Sequence, residues 1–270
     1  NITSLAIFFP HVLAGPIIFE EVTDNRNPVE RSVSSMLFFS LGMILLEMSF
    51  VILARLASKE LSMFNPFEVG FYYLPGLFSN FFGYSLIAFA YATLLGLKIS
   101  HNFDAPGLAV NSREFWRRWH ISLSTFMRIY LFQWLRKLLP IKLSVFLIFI
   151  ISGLWHGIGF GYLIWSVIFG LLAIFKIDRF HWILNVALWN FLTLPAWAFF
   201  YFGSEDISFF TNNMSLALHF SYSDFGAKAT LYLIVVYLLF FTPIKRLLSI
   251  FGELNIIHQS LEYIELRVYK

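Results

Sequence analysis

The sequence contains no cysteine and little charge: only 13% of its 270 residues are Asp, Glu, Lys or Arg. Without cysteine there is no disulfide framework, no thiolate metal site and no cysteine nucleophile. Soluble domains carry about 25% charged residues, so roughly half of the usual polar coat is missing. Metal-site patterns are missing too. There is no His-Glu-x-x-His, no two histidines lie three to five residues apart, and no Gly-x-Ser-x-Gly elbow or phosphate-cradling loop occurs. What is present is apolar: 59% of residues are hydrophobic and 20% aromatic, with 34 Phe and 8 Trp. That exceeds what one soluble core can absorb. A soluble enzyme, a secreted disulfide scaffold and a disordered chain are excluded, and an all-α polytopic membrane protein is expected. The net charge of +3 fits Lys and Arg in cytoplasmic loops better than nucleic-acid binding. The chain starts at Asn1 without a basic-then-apolar leader. It is therefore expected to be a single domain over 1–270, cut from a longer protein.

Spanning helices need about 20 apolar residues. Val33–Leu56, Gly76–Leu97, Trp182–Gly203 and the shorter Ala229–Ile244 qualify, with Pro195 predicting a kink or a break in the third of these. Lys228 and Lys245 would have to snorkel at the ends of the fourth. Leu143–Phe175 is too long for one span, and Gly153, Gly157, Gly159 and Gly161 mark where it divides. Five or six membrane helices follow. Glu20–Arg31, Arg55–Glu68, Lys98–Asn111 with its Pro106-Gly107 turn, Ser204–Phe225 and Gly252–Lys270 are the polar connectors and tail.

Asn111-Ser112-Arg113-Glu114 has the form of a capping box and starts a helix. Beyond it, Phe115, Trp119, Leu123, Phe126 and Tyr130 recur at helical spacing on one face. Arg113, Arg117, His120, Ser124 and Arg128 recur on the other. An interfacial helix with arginines among lipid headgroups explains this pattern, and periodicity alone favours it. A helix dipping inward, its polar stripe lining a watery chamber, explains it as well. Either way, Ser112–Leu139 should be helical without being a simple crossing.

Ser152-Gly153-Leu154-Trp155-His156-Gly157 puts an imidazole inside an apolar run. Ionisable groups in a membrane face a partner or a cavity and are functional candidates, and imidazole can take a proton near neutral pH. The competing explanation is packing: Gly153, Gly157 and Gly161 have small-xxx-small spacing, and His156 could merely hydrogen-bond a neighbouring helix. His11, His101, His181, His219 and His258 sit near expected ends or loops, where solvated histidine suffices. Glu47 is a pathway or helix-pairing candidate.

Glu114-Phe115-Trp116-Arg117-Arg118-Trp119-His120-Ile121-Ser122-Leu123-Ser124, followed by Gly153-Leu154-Trp155-His156-Gly157, resembles the membrane-bound O-acyltransferase (MBOAT) family. The similarity is strongest to its bacterial polysaccharide-acylating branch, of the alginate O-acetylation type. Phe9-Pro10-His11-Val12-Leu13-Ala14-Gly15-Pro16-Ile17, Asn102-Phe103-Asp104-Ala105-Pro106 and Trp197-Ala198-Phe199-Phe200 look like the same branch. The resemblance implies an MBOAT helical core lacking the family's N-terminal helices. It also implies His156 as the catalytic histidine and His120 as its companion, the two approaching each other around a shared cavity. Trp155, Trp119, Arg117, Ser124 and Arg128 are candidate substrate contacts. The chain differs from the family pattern at Ile129, where Asp is usual, and at Tyr201, where Arg is frequent.

The implied reaction moves an acyl group, acetyl first, to hydroxyls of an exported polysaccharide at the inner membrane. The donor is acyl-CoA or an acyl-carrier thioester, with no tightly bound cofactor or metal. Periplasmic or extracellular acyl-transfer proteins are possible partners, and nucleic acid is not. Two alternatives stay open: D-alanyl or other acyl transfer to teichoic acid-type polymers, and a non-catalytic scaffold or transport subunit of an export complex.

Overall fold

The computed structural model describes residues 27–58, 65–97, 99–175, 180–214 and 227–243. The Phe9–Ile17 stretch, His11, His219, Lys245, His258 and the Gly252–Lys270 tail lie outside them. All regular structure among the described residues is helical, as in an all-α membrane protein. The order is α1 Pro28–Ala57, α2 Pro66–Leu94, a 3₁₀ turn Pro106–Leu108, α3 Ser112–Arg118 and α4 Ile121–Phe126. A π-helical turn Met127–Phe132 and α5 Gln133–Leu138 follow, then α6 Ile141–His156, α7 Phe160–Ile174, α8 Trp182–Tyr201, α9 Ile207–Asn213 and α10 Ala227–Phe240. Helices α1, α2 and α8 are long and apolar enough to cross a membrane, while Ile141–His156, Phe160–Ile174 and Lys228–Phe240 are shorter apolar helices.

Two helices begin earlier than their apolar runs. Asn27 caps α1 through its side chain, which accepts from the Glu30 N–H at 2.8 Å. Asn65 likewise accepts from the N–H groups of Phe67 and Glu68. Each asparagine is followed by a proline at the first helical position, where the missing N–H costs nothing. The two ends of the Arg55–Glu68 connector and the end of the Glu20–Arg31 loop therefore belong to helix. Pro195 does not break α8, which runs unbroken to Tyr201; neighbouring helices and side chains can support such an interruption in a membrane.

Helix α2 is the central element, pairing with α1, α8 and α10. Against α1, Phe38 meets Phe89 edge-on at 4.9 Å, and the buried Ser35 hydroxyl donates to the Ala90 carbonyl at 2.8 Å. Tyr237 of α10 donates to the Phe71 carbonyl at 2.8 Å. Glu47 serves helix pairing: Lys228 of α10 reaches its carboxylate at 2.8 Å and Tyr232 at 3.3 Å. Pairing removes two isolated charges from an apolar surface.

Candidate active site

The two histidine motifs sit at two helix interruptions. Asn111 caps α3 as its sequence indicates, accepting from Glu114 N–H at 3.0 Å. The helix then stops at Arg118, and His120 adopts a left-handed conformation with φ 45° and ψ 56°. Non-glycine residues rarely do this, although histidine does so more often than most. The continuous polar stripe expected from the sequence is thereby cut in two. Its cause is tertiary. Phe103 and Trp119 form an isolated antiparallel bridge, the Asp104 N–H donates to the Arg118 carbonyl at 2.9 Å, and the Ile121 N–H donates to the Asn102 carbonyl at 3.1 Å. The Asn102 side chain accepts from the Ser122 N–H at 3.2 Å. A short extended segment thus outcompetes the helix at 119–120.

His120 is 7% exposed. Its ring stands edge-on to Phe81 at 4.4 Å, and its Nδ1 lies 3.5 Å from the Ser122 hydroxyl. Trp119, its neighbour, is enclosed by Phe78, Phe103, Phe115, Trp197 and Phe240. Its indole is part of the aromatic core. Arg117 is exposed, whereas Ser124 and Arg128 are half-buried. The Ser124 hydroxyl donates to the Trp119 carbonyl at 3.4 Å.

His156 is the last residue of α6. Gly157 follows with φ 154°, a backbone state that side chains disfavour, and the chain turns into α7 at Phe160. The opening of α7 has no capping side chain. Its N–H groups are instead taken up by the loop after α8: Phe160 donates to the Glu205 carbonyl at 3.1 Å and Tyr162 to that of Gly203 at 3.3 Å. The glycines do not form one continuous face. Gly153 faces Ser166 of α7, while a β-carbon on Gly161 would collide with the main-chain oxygens of Phe199 and Phe202.

Around the half-buried His156 stand Phe200 at 4.7 Å, Trp155 at 4.8 Å, Trp165 at 5.6 Å and Tyr162 at 6.2 Å. Trp155 is itself 56% exposed. The two motifs meet through this aromatic mass, since Trp197 touches both Trp119 at 5.1 Å and Trp165 at 6.3 Å. His156 is thus joined to the His120 turn through contiguous rings, Trp165, Trp197 and Trp119.

Two cavities lie elsewhere. One is an apolar groove along α10, lined by Phe71, Leu233, Tyr237 and neighbours. The other is a small recess beside Ser85, Ser100, His101 and Asn102. Neither is lined by His120 or His156. His101 is not the solvated loop histidine its position suggests. Its ring packs on Phe89 at 4.2 Å, and its Nε2 is buried without a hydrogen-bond partner among the described residues. His181 is exposed as expected.

Sequence reasoning missed Asn102, Phe81, Tyr162 and Trp165 as neighbours of the histidines. Of these only Asn102 left a signal, as the first residue of the family-like stretch Asn102–Pro106. Among the described residues no group of His, Asp or Glu is arranged to hold a metal ion.

Comparison with known proteins agrees with the motifs. The profile of the MBOAT, membrane-bound O-acyltransferase family, matches residues 6–203. The probable alginate O-acetylase AlgI of Pseudomonas aeruginosa is 32% identical over 188 residues, which is 63% of this chain and 36% of that protein. The peptidoglycan O-acetyltransferase of Helicobacter pylori is 31% identical over 222 residues, 72% of this chain and 42% of its own length. The teichoic acid D-alanyltransferase of Streptococcus thermophilus is 30% identical over 194 residues, 61% of this chain and 47% of its length. The chain spans less than half the length of each of these relatives. With the family profile covering most of the sequence and both histidine motifs at helix interruptions, the chain belongs to the membrane-bound O-acyltransferase family.

Proposed function

We propose that this chain carries the catalytic part of a multi-pass inner-membrane enzyme that transfers an acyl group, acetyl in the first instance, from a thioester to hydroxyls of a cell-surface or exported polysaccharide. The observation that carries this reading is the family match over residues 6–203, with His120 and His156 standing at two helix interruptions that border one aromatic cluster. A sugar hydroxyl is a poor nucleophile until a base removes its proton. His156 is that base: its imidazole takes the hydroxyl proton as the oxygen attacks the thioester carbonyl. The tetrahedral oxyanion then collapses, the C–S bond breaks, and the proton passes from the imidazolium to the departing thiolate. His156 ends α6, and the negative end of a helix dipole favours the imidazolium formed midway.

The oxyanion needs hydrogen-bond donors in a dry setting. His120 is one. Trp165 offers another, since its buried indole N–H has no acceptor among the described residues. Trp155 and Arg117 are exposed, with Ser124 and Arg128 half-buried, and these four are assigned to substrate contacts. Trp119 bears on substrate only by holding the His120 turn.

Membranes from the producing cell, given acetyl-CoA labelled in the acetyl group, are expected to move label into polymer only when the protein is present. Label that enters from a D-alanyl carrier thioester and not from acetyl-CoA would select the D-alanyl reading, which the similarity to teichoic acid D-alanyltransferases favours. No transfer from either donor would leave a scaffold or transport role.

A further inference from the structure

His120 carries out no capping of its own helix. It stands at the N-cap of α4 without a side-chain cap bond. That work falls to Asn102, eighteen positions upstream in the chain. Its carbonyl accepts from Ile121 and its Oδ1 from Ser122. The first two N–H groups of α4 are therefore held by one residue that is 5% exposed. The opposite end of the same amide reaches Ser85 of α2 at 3.5 Å, tying the turn to the central helix. Phe81, one turn earlier on α2, is the ring against which the His120 imidazole stands. Backbone and ring of His120 are thus both referenced to α2.

We propose that Asn102 is a positioning residue for acyl transfer, holding the left-handed turn at His120 so that its imidazole stays in register with His156. The inference rests on the reading of these two histidines as the reacting pair. The main-chain bond to Ile121 survives any substitution at 102, so a variant loses the side-chain bond to Ser122 and the link to Ser85. A misplacement of about 1 Å in a catalytic group can cost on the order of a hundredfold in rate.

The test is a double-mutant cycle in the full-length protein, in native membranes supplied with labelled acetyl-CoA. Asn102→Ala is expected to lower kcat by about tenfold to a hundredfold with the KM for acetyl-CoA unchanged. In a His120→Ala background the same substitution should cost nothing more, because groups acting as a unit are non-additive. Asn102→Asp keeps the Oδ1 acceptor and should retain most of the activity. An equal fractional loss in both backgrounds, or no loss in the native one, overturns the proposal. If Asn102→Ala fails to accumulate, Asn102→Asp decides: a folded Asp variant as inactive as His120→Ala overturns it, and a working one supports it. Full transfer by a His156→Ala protein would instead sink the underlying reading, whatever the Asn102 variants do.

Discussion

His156→Ala is expected to abolish polysaccharide acylation, by about 10²–10⁴-fold, while the protein still accumulates in the membrane. The expectation follows from where the imidazole sits. It is half-buried against Phe200, Trp155, Trp165 and Tyr162, and among the described residues the imidazole makes no hydrogen bond on which the helix end depends. The turn below it is set by other groups, namely Gly157 with its positive φ and the Gly203 and Glu205 carbonyls. Truncation removes the proton acceptor and leaves the scaffold. Acylation measured in cells lacking any other acyltransferase, together with the yield of folded protein, separates the outcomes. Full acylation would exclude His156 as the base. Loss of activity and of folded protein together would mean that the residue is there to pack.

The second large effect is structural. Gly161→Val should destabilise the protein by about 1–3 kcal/mol or more, lowering its melting temperature in detergent and removing activity with it. A side chain at 161 meets the main-chain oxygens of Phe199 and Phe202. Backbone cannot swing aside as a side chain can, so α7 would have to leave α8. That movement would break the Tyr162 bond to the Gly203 carbonyl and shift the turn that carries His156. Gly170→Ala is the control. There the added carbon meets the ring of Phe146 at 2.8 Å, which can rotate, so the loss should be smaller. Equal melting of Gly161→Val and the native protein would show that the α7–α8 contact is not tight.

Comparison of sequence and structure shows which signals are local. The division of Leu143–Phe175 at its glycines was legible, because a turn needing positive φ announces itself at Gly157. The first helices were underestimated at their starts. Glu68 and Pro66 look like connector residues, yet an asparagine cap and a first-turn proline use such residues to begin a helix. The break at His120 was illegible. Helical spacing continues through it from Phe115 to Tyr130, and what interrupts it is hydrogen bonding to the Asn102–Asp104 segment, a tertiary competitor that periodicity does not register. Both histidines could be named from their motifs, but their aromatic surroundings come from α2, α7 and α8 and depend on packing.

The left-handed backbone of His120 sets a trade between durability and use. For most residues that conformation costs about 1–2 kcal/mol, and only glycine occupies it freely. Among truncations of the ring, glycine therefore relieves the backbone where alanine does not, and a library screened only for heat resistance should recover His120→Gly ahead of His120→Ala. A glycine at this turn would keep the fold and discard the imidazole. On the proposed reading such a variant folds without transferring acyl groups, so a stability screen at this turn has to be paired with one for acyl transfer.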